Sequence, residues 1–171
     1  NAQTGTVAIG HDALTALTSG ARNLAVGYQS LDALTQGDDN IALGYSAMGA
    51  LSTTDGSVKN IAIGNYAMDG VSTLAAIENI FIGYSSGGGS WSGTASGYNV
   101  AIGNSTMSAA LNGSNENVAV GRNAFRDATT GDNNVIIGSS TGVQSTDVIG
   151  VTAIGRDALG GVTTTGANYT T

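Results

Sequence analysis

Asn60-Ile61-Ala62-Ile63-Gly64 decides how this chain folds, because variants of it return along the whole sequence. The apolar run ending in glycine occurs nine times: Val7-Ala8-Ile9-Gly10, Leu24-Ala25-Val26-Gly27, Ile41-Ala42-Leu43-Gly44, Ile61-Ala62-Ile63-Gly64, Ile80-Phe81-Ile82-Gly83, Val100-Ala101-Ile102-Gly103, Val118-Ala119-Val120-Gly121, Val135-Ile136-Ile137-Gly138 and Thr152-Ala153-Ile154-Gly155. Successive glycines lie 17, 17, 20, 19, 20, 18, 17 and 17 residues apart. Self-similarity at a near-fixed period predicts a stack of coils rather than one globular core. The expected fold is mainly β: a repeat solenoid of the parallel β-roll or β-helix kind, about nine coils of 17–20 residues, with residues 1–171 as a single array.

Each repeat can be indexed on its glycine. One and three residues before it stands Val, Ile or Leu, with Thr152 the exception, and between them stands Ala in seven of nine copies, with Phe81 and Ile136 the exceptions. Side chains of a strand alternate faces, so the β-branched pair points one way and the alanine the other. The β-branched face is expected to form the coil interior. Seven alanines in register predict a second face packed closely on another backbone, either the second leg of the coil or another chain.

Four residues before the glycine, Asn recurs as Asn23, Asn40, Asn60, Asn79, Asn99, Asn117 and Asn134. Asn tolerates left-handed backbone and closes Asx turns, which predicts a corner at each copy. Stacked amides can also bond to one another up the coil. A structural ladder is therefore expected here rather than a ligand site. The glycine then permits positive φ where the strand leaves the sheet.

After the glycine runs a second pattern, clearest in Tyr45-Ser46-Ala47-Met48-Gly49-Ala50-Leu51 and repeated from His11 to Leu17 and from Tyr28 to Leu34. Apolar residues three, four and seven past the glycine fit one or two short helical turns in the second leg. Turn formers such as Thr129-Thr130-Gly131-Asp132-Asn133-Asn134 complete the coil. The longer repeats are expected to swell at this polar corner.

Composition narrows the function. The 171 residues carry 5 Lys and Arg against 12 Asp and Glu, a net charge of -7. That balance argues against nucleic acid and anionic membrane surfaces, which need a clustered positive face. No apolar run approaches the ~20 residues of a membrane span, so no membrane insertion is expected. There is no cysteine and one histidine, which removes disulfides, Cys–His chemistry and a His-based zinc site. The start at Asn1, with no polar capping repeat at either end, reads as a segment of a longer fibre protein.

The units Asn60–Gly64 and Asn99–Gly103 resemble the head repeats of trimeric autotransporter adhesins, in which similar Val-Ala-Ile-Gly units build a left-handed parallel β-roll in a three-chain bundle. The full unit Asn40-Ile41-Ala42-Leu43-Gly44-Tyr45-Ser46-Ala47-Met48 is more similar still to repeats of phage tail fibres. The resemblance spans the chain and implies a parallel homotrimer, a place on a virion tail fibre or bacterial cell surface, and attachment to a host cell-surface glycan or protein. Two departures are plain: the repeats here are longer than adhesin head repeats, and their second leg does not alternate.

Candidate chemistry is sparse. His11 shares its position with Tyr28, Tyr45, Tyr84, Asn65 and Arg122, the mark of a rim residue. A tailspike glycosidase would need two carboxylates set across a sugar, but the acids Asp38, Asp39, Asp55, Glu78, Glu116, Asp132 and Asp147 fall mainly at corners, as a soluble rim requires. Asp38-Asp39-Asn40 and Asp132-Asn133-Asn134 offer hard oxygen ligands for calcium, yet the calcium β-roll signature is missing and turn chemistry accounts for them. Threonines do not recur at one strand position, which disfavours an ice-matching face. No catalytic residue, metal or cofactor is expected.

The fifth repeat departs from the pattern, running Tyr84-Ser85-Ser86-Gly87-Gly88-Gly89-Ser90-Trp91 and on to Tyr98. A protruding Gly/Ser loop would make Tyr84, Trp91 and Tyr98 a glycan-stacking site. The competing and preferred expectation is that Trp91 folds inward, filling space left by Gly87 and Ser90. The sequence reading is thus a non-enzymatic, extracellular fibre segment mediating attachment. A carbohydrate-degrading tailspike and a monomeric solenoid subunit of a surface filament are the alternatives.

Overall fold

The computed structural model describes residues 4–52, 56–70, 75–91, 93–160 and 165–168, the last four as backbone only. Asp55 and the threonines at 53, 54, 163 and 164 lie outside them. The nine apolar units form nine strands of one parallel sheet, from Val7–Ile9 through Leu24–Val26, Ile41–Leu43, Ile61–Ile63, Ile80–Ile82, Val100–Ile102, Val118–Val120 and Val135–Ile137 to Thr152–Ile154. Each pairs with the next copy in strict register, as in Ile41↔Ile61, Ala42↔Ala62 and Leu43↔Ile63. The chain thus winds about eight turns of a parallel β-solenoid, and the sheet extends roughly 38 Å at the usual strand spacing.

The faces are the reverse of the sequence expectation. In Ile61–Ile63 the alanine is buried and both isoleucines are half-buried, and the same pattern holds in five other strands. Ala25, Ala42, Ala62, Ala101 and Ala119 have no exposed surface, so the alanine column is the coil interior and packs on the second leg. The β-branched columns point outward. The physical reason is coil width: the second leg already sends Leu31, Met48, Met68, Met107 and Phe125 inward, and only a methyl fits opposite them.

The two exceptions to alanine obey the same rule. Phe81 faces Gly87, whose missing Cβ would lie 2.5 Å from the Phe81 ring, and Ile136 faces Gly142, whose Cβ would lie 3.1 Å from Ile136. Where the strand residue is large, the residue four past the repeat glycine has no side chain. Phe81, and not Trp91 alone, fills the space that Gly87 leaves.

The second leg contains no helix among the described residues; it is a succession of tight turns. Residues two and four past the glycine, such as Ser46 (φ 49°) and Met48 (φ 52°), take left-handed backbone. Their N–H groups donate to neighbouring coils, Ser46 to Tyr28 O at 2.9 Å and Met48 to Ala67 O at 2.9 Å. A helix would close its hydrogen bonds within the segment; here stacking satisfies them between coils, and that outweighs the strain of left-handed leucine and methionine.

The repeat glycine is required by stacking as well as by bending. Gly64 has φ 130°, and a Cβ there would come within 2.6 Å of Gly83 O in the next coil. A third, short leg closes the coil, with Ala76–Ile77 pairing parallel to Ser96–Gly97 and isolated bridges such as Ser19↔Gln36.

Candidate functional site

The Asn column forms a continuous amide ladder inside the corner. Asn60 Nδ2 donates to Asn40 Oδ1 at 3.1 Å, Asn79 to Asn60 at 3.1 Å, Asn99 to Asn79 at 3.1 Å, Asn117 to Asn99 at 2.9 Å and Asn134 to Asn117 at 2.8 Å. The chain begins with Asn23, whose Oδ1 accepts from Asn40 Nδ2 at 3.2 Å. Each Oδ1 also accepts a backbone N–H from the next coil, from the following Asn or, at Asn134, from Val151, and each Nδ2 finds a carbonyl on the third leg, as Asn79 does at Ser96 O, 3.0 Å. All seven are buried, and each is hydrogen-bonded to protein groups within the corner.

Just before each ladder Asn stands a residue in left-handed conformation, among them Arg22, Asp39, Lys59, Glu78, Tyr98, Glu116 and Asn133. In the first coils this outer column alternates in charge. Arg22 bonds Asp39, with Nη2 to Oδ2 at 2.9 Å, and Lys59 Nζ lies 3.0 Å from Glu78 Oε1. The Arg22 hydrogen bond holds the Asp39 carboxyl below its ordinary range. The corner acids are thus used within the fold: Asp38 Oδ1 accepts Ala21 N–H at 2.7 Å and Asp132 Oδ1 accepts Asn115 N–H at 2.7 Å. Among the described residues no three His, Asp or Glu side chains group to hold a metal ion.

Two acids behave differently. Asp32 and Asp69 share the position five past the glycine, on either side of Gly49, and burial first, then neighbouring carboxylate charge, pushes both above the usual range. Backbone N–H groups of Ala50 and Gly49 bond Asp69 and partly offset this. A carboxyl whose pKa is raised on folding destabilises the fold above that pKa and does no harm below its unfolded value. Asp69→Asn is accordingly expected to raise the melting temperature at pH 7, and the gain should vanish as the pH falls below ~4, where the unfolded carboxyl protonates. A gain independent of pH in thermal melts would show that charge is not the cause.

The three predicted binding aromatics are not brought together. Trp91 is buried: its ring meets Phe81 edge-on with centroids 5.7 Å apart, and Nε1–H donates to Gly87 O at 3.0 Å. Its backbone N–H donates to Gly70 O at 3.0 Å, so it stands in the coil stack and not on a protruding loop. Trp91 is therefore withdrawn from any ligand surface. Tyr84 and Tyr98 are exposed, at 52% and 53%, but on columns at opposite borders of the sheet face.

Tyr84 belongs instead to an aromatic rail. His11, Tyr28, Tyr45, Tyr66 and Tyr84 follow one another up the coils with ring centroids 5.3, 5.2, 5.2 and 5.9 Å apart. The first three rings lie nearly parallel; the others meet edge-on. The rail is unbroken because Tyr66, one place later in its repeat, stands in where Asn65 occupies the aromatic position. That one-residue offset hid the rail from a column-by-column reading. The stacked rings cover each other's faces, so the rail offers edges and hydroxyls to solvent. His11 Nδ1 lies 2.8 Å from Asp12, and both are exposed.

The outward side of the sheet is apolar along its whole length. Of the eighteen outward positions on the nine strands, only Thr152 is polar. Val7, Ile9, Ile102 and Ile154 are among the most exposed apolar side chains of the chain. Among the described residues no helix is long and apolar enough to cross a membrane. Comparison with protein families, with curated proteins and with solved structures finds no match to this chain.

Proposed function

We propose that this chain is a structural, receptor-presenting segment of an extracellular fibre, on a phage tail or a bacterial surface, assembled as three parallel copies through its outward Val/Ile/Leu face. The observation that carries the reading is that face: two adjacent aliphatic columns along the whole sheet, with their small partners turned inward. Soluble monomers rarely leave so long a contiguous apolar surface open. Parallel copies in register would set column against column, and the alternating charges at its border would sit at the rim, where they select register more than affinity. The number three comes from the resemblance to trimeric fibres. Such a shaft acts by stiffness and by multivalent presentation of weak contacts.

Light scattering after size exclusion is expected to give about three times 16.8 kDa. Ile63→Lys combined with Ile102→Lys should give a folded monomer, since both side chains point outward. Ala62→Lys, aimed into the coil, should unfold the chain instead. A wild-type monomer would overturn the assembly, and open-ended polymers would favour filament growth through the terminal strands.

A further inference from the structure

We infer that the cleft beside Tyr98 receives the acetamido group of a neutral N-acetylated sugar. This deepens the receptor-binding half of the proposed function and rests on it. Ala75, Ile77, Ala95, Ser96, Gly97, Tyr98 and Asn115 line an open cleft of about 70 Å³ on the third leg. Sites that hold a whole small molecule usually measure ~300 Å³ or more, so this one admits a single substituent. The methyls of Ala75, Ala95 and Ile77 suit a methyl-bearing, uncharged tip. Asn115 is fixed as a wall, with Oδ1 accepting Gly97 N–H at 2.9 Å and Nδ2 donating to Gly113 O at 2.6 Å.

Tyr98 stands out from its column by its side chain. It takes the left-handed corner position that other coils give to Arg22, Asp39, Lys59, Glu78, Glu116 and Asn133. Its left-handed backbone (φ 59°) is the rule at this corner, and its N–H donates to Ile77 O at 3.0 Å in the neighbouring coil, but it is the aromatic member of the column, and half its surface lies in water. An exposed tyrosine face is a platform for the C–H face of a pyranose, with the acetamido group dropping into the adjoining cleft. Glu78 and Glu116 hold the same position in the coils on either side, both exposed. They supply acceptors for sugar hydroxyls and, with the net charge of -7, repel acidic sugars.

Saturation-transfer NMR with N,N′-diacetylchitobiose and with cellobiose tests this, since the two differ by acetamido for hydroxyl. The acetamido methyl protons should carry the strongest saturation, and cellobiose should show none. Tyr98→Asn places at this corner the residue that Asn133 already provides, so the fold should persist with a melting temperature no lower than the parent's. It should weaken binding at least tenfold, as should Ala95→Leu, which fills the cleft, while Tyr98→Phe retains binding. Equal or absent saturation with the two sugars, or binding that survives both Tyr98→Asn and Ala95→Leu, overturns the assignment. The mass of the same sample separates the two readings: a trimer without saturation refutes only the cleft, and a monomer with saturation refutes only the assembly.

Discussion

Phe81→Ala is expected to destabilise the solenoid by about 3–5 kcal/mol, and Gly87→Met by a further large amount on its own, yet the double variant should recover most of the loss. Phe81 is fully buried, and its ring lies against the side of Gly87 that carries no Cβ. Removing the ring leaves a cavity between two coils that cannot collapse, because the strands on either side are held in register. Adding a side chain at Gly87 drives it into that ring. Together the two changes restore the alanine-and-methionine pairing that the neighbouring repeat has in Ala62 and Met68, and left-handed backbone at that place already carries Met48, Met68 and Met107. Guanidinium unfolding of the four proteins gives the coupling energy directly. Additive losses would mean that the interior is not matched pair by pair. Trp91 bonds Gly87 O and contacts Phe81, so a small residual deficit in the double variant is expected from its lost ring contact.

Asn79→Ala should cost about 2–4 kcal/mol, with the damage spreading to both neighbouring coils. The substitution leaves Asn99 without the acceptor for its backbone N–H and its Nδ2, and leaves Ser96 O without a donor, all in a corner closed to water. Asn79→Asp has nearly the same shape and should be worse at neutral pH. Its carboxylate can donate neither to Asn60 Oδ1 nor to Ser96 O, and burial raises its pKa. The sign follows: a raised carboxyl pKa leaves the penalty present at neutral pH, and stability should improve as the pH falls. Melting curves of both variants between neutral and acid pH check this. An Asp variant insensitive to pH, or an Ala variant as stable as the parent, would show that the ladder contributes register without stability.

Much of the architecture was legible because the coil repeats. The period, the strand at each apolar unit, the parallel stacking and the bend at each glycine all follow from nine copies of one pattern, since an array can satisfy a repeated pattern only by stacking it. The Asn column was legible for the same reason: one residue type, buried at one corner in seven of the nine copies, has its own copies as neighbours. The inward Trp91 could be read from the small residues around it.

Other features were in the sequence but read wrongly or not at all. The pairing of Phe81 with Gly87 and of Ile136 with Gly142 is visible across the repeats, and it assigns the strand's middle residue to the interior. The second leg's spacing of three, four and seven matched a helix by period alone, although the interior of a narrow coil imposes the same spacing on turns. Tyr66 left its column by one residue and still completed the aromatic rail.

What the sequence determined by itself is the repeat and therefore the stack: local alternation and glycine at a constant period admit few other folds. What only the tertiary structure decided is which face is inside, how the second leg bends and which exposed residues share a border. Strand alternation separates two faces without ranking them, and β-branched residues suit a covered sheet face as well as a core. The choice came from the width of the closed coil, a quantity set jointly by its three legs and not by the alternation within one strand. That same width turned the isoleucines outward.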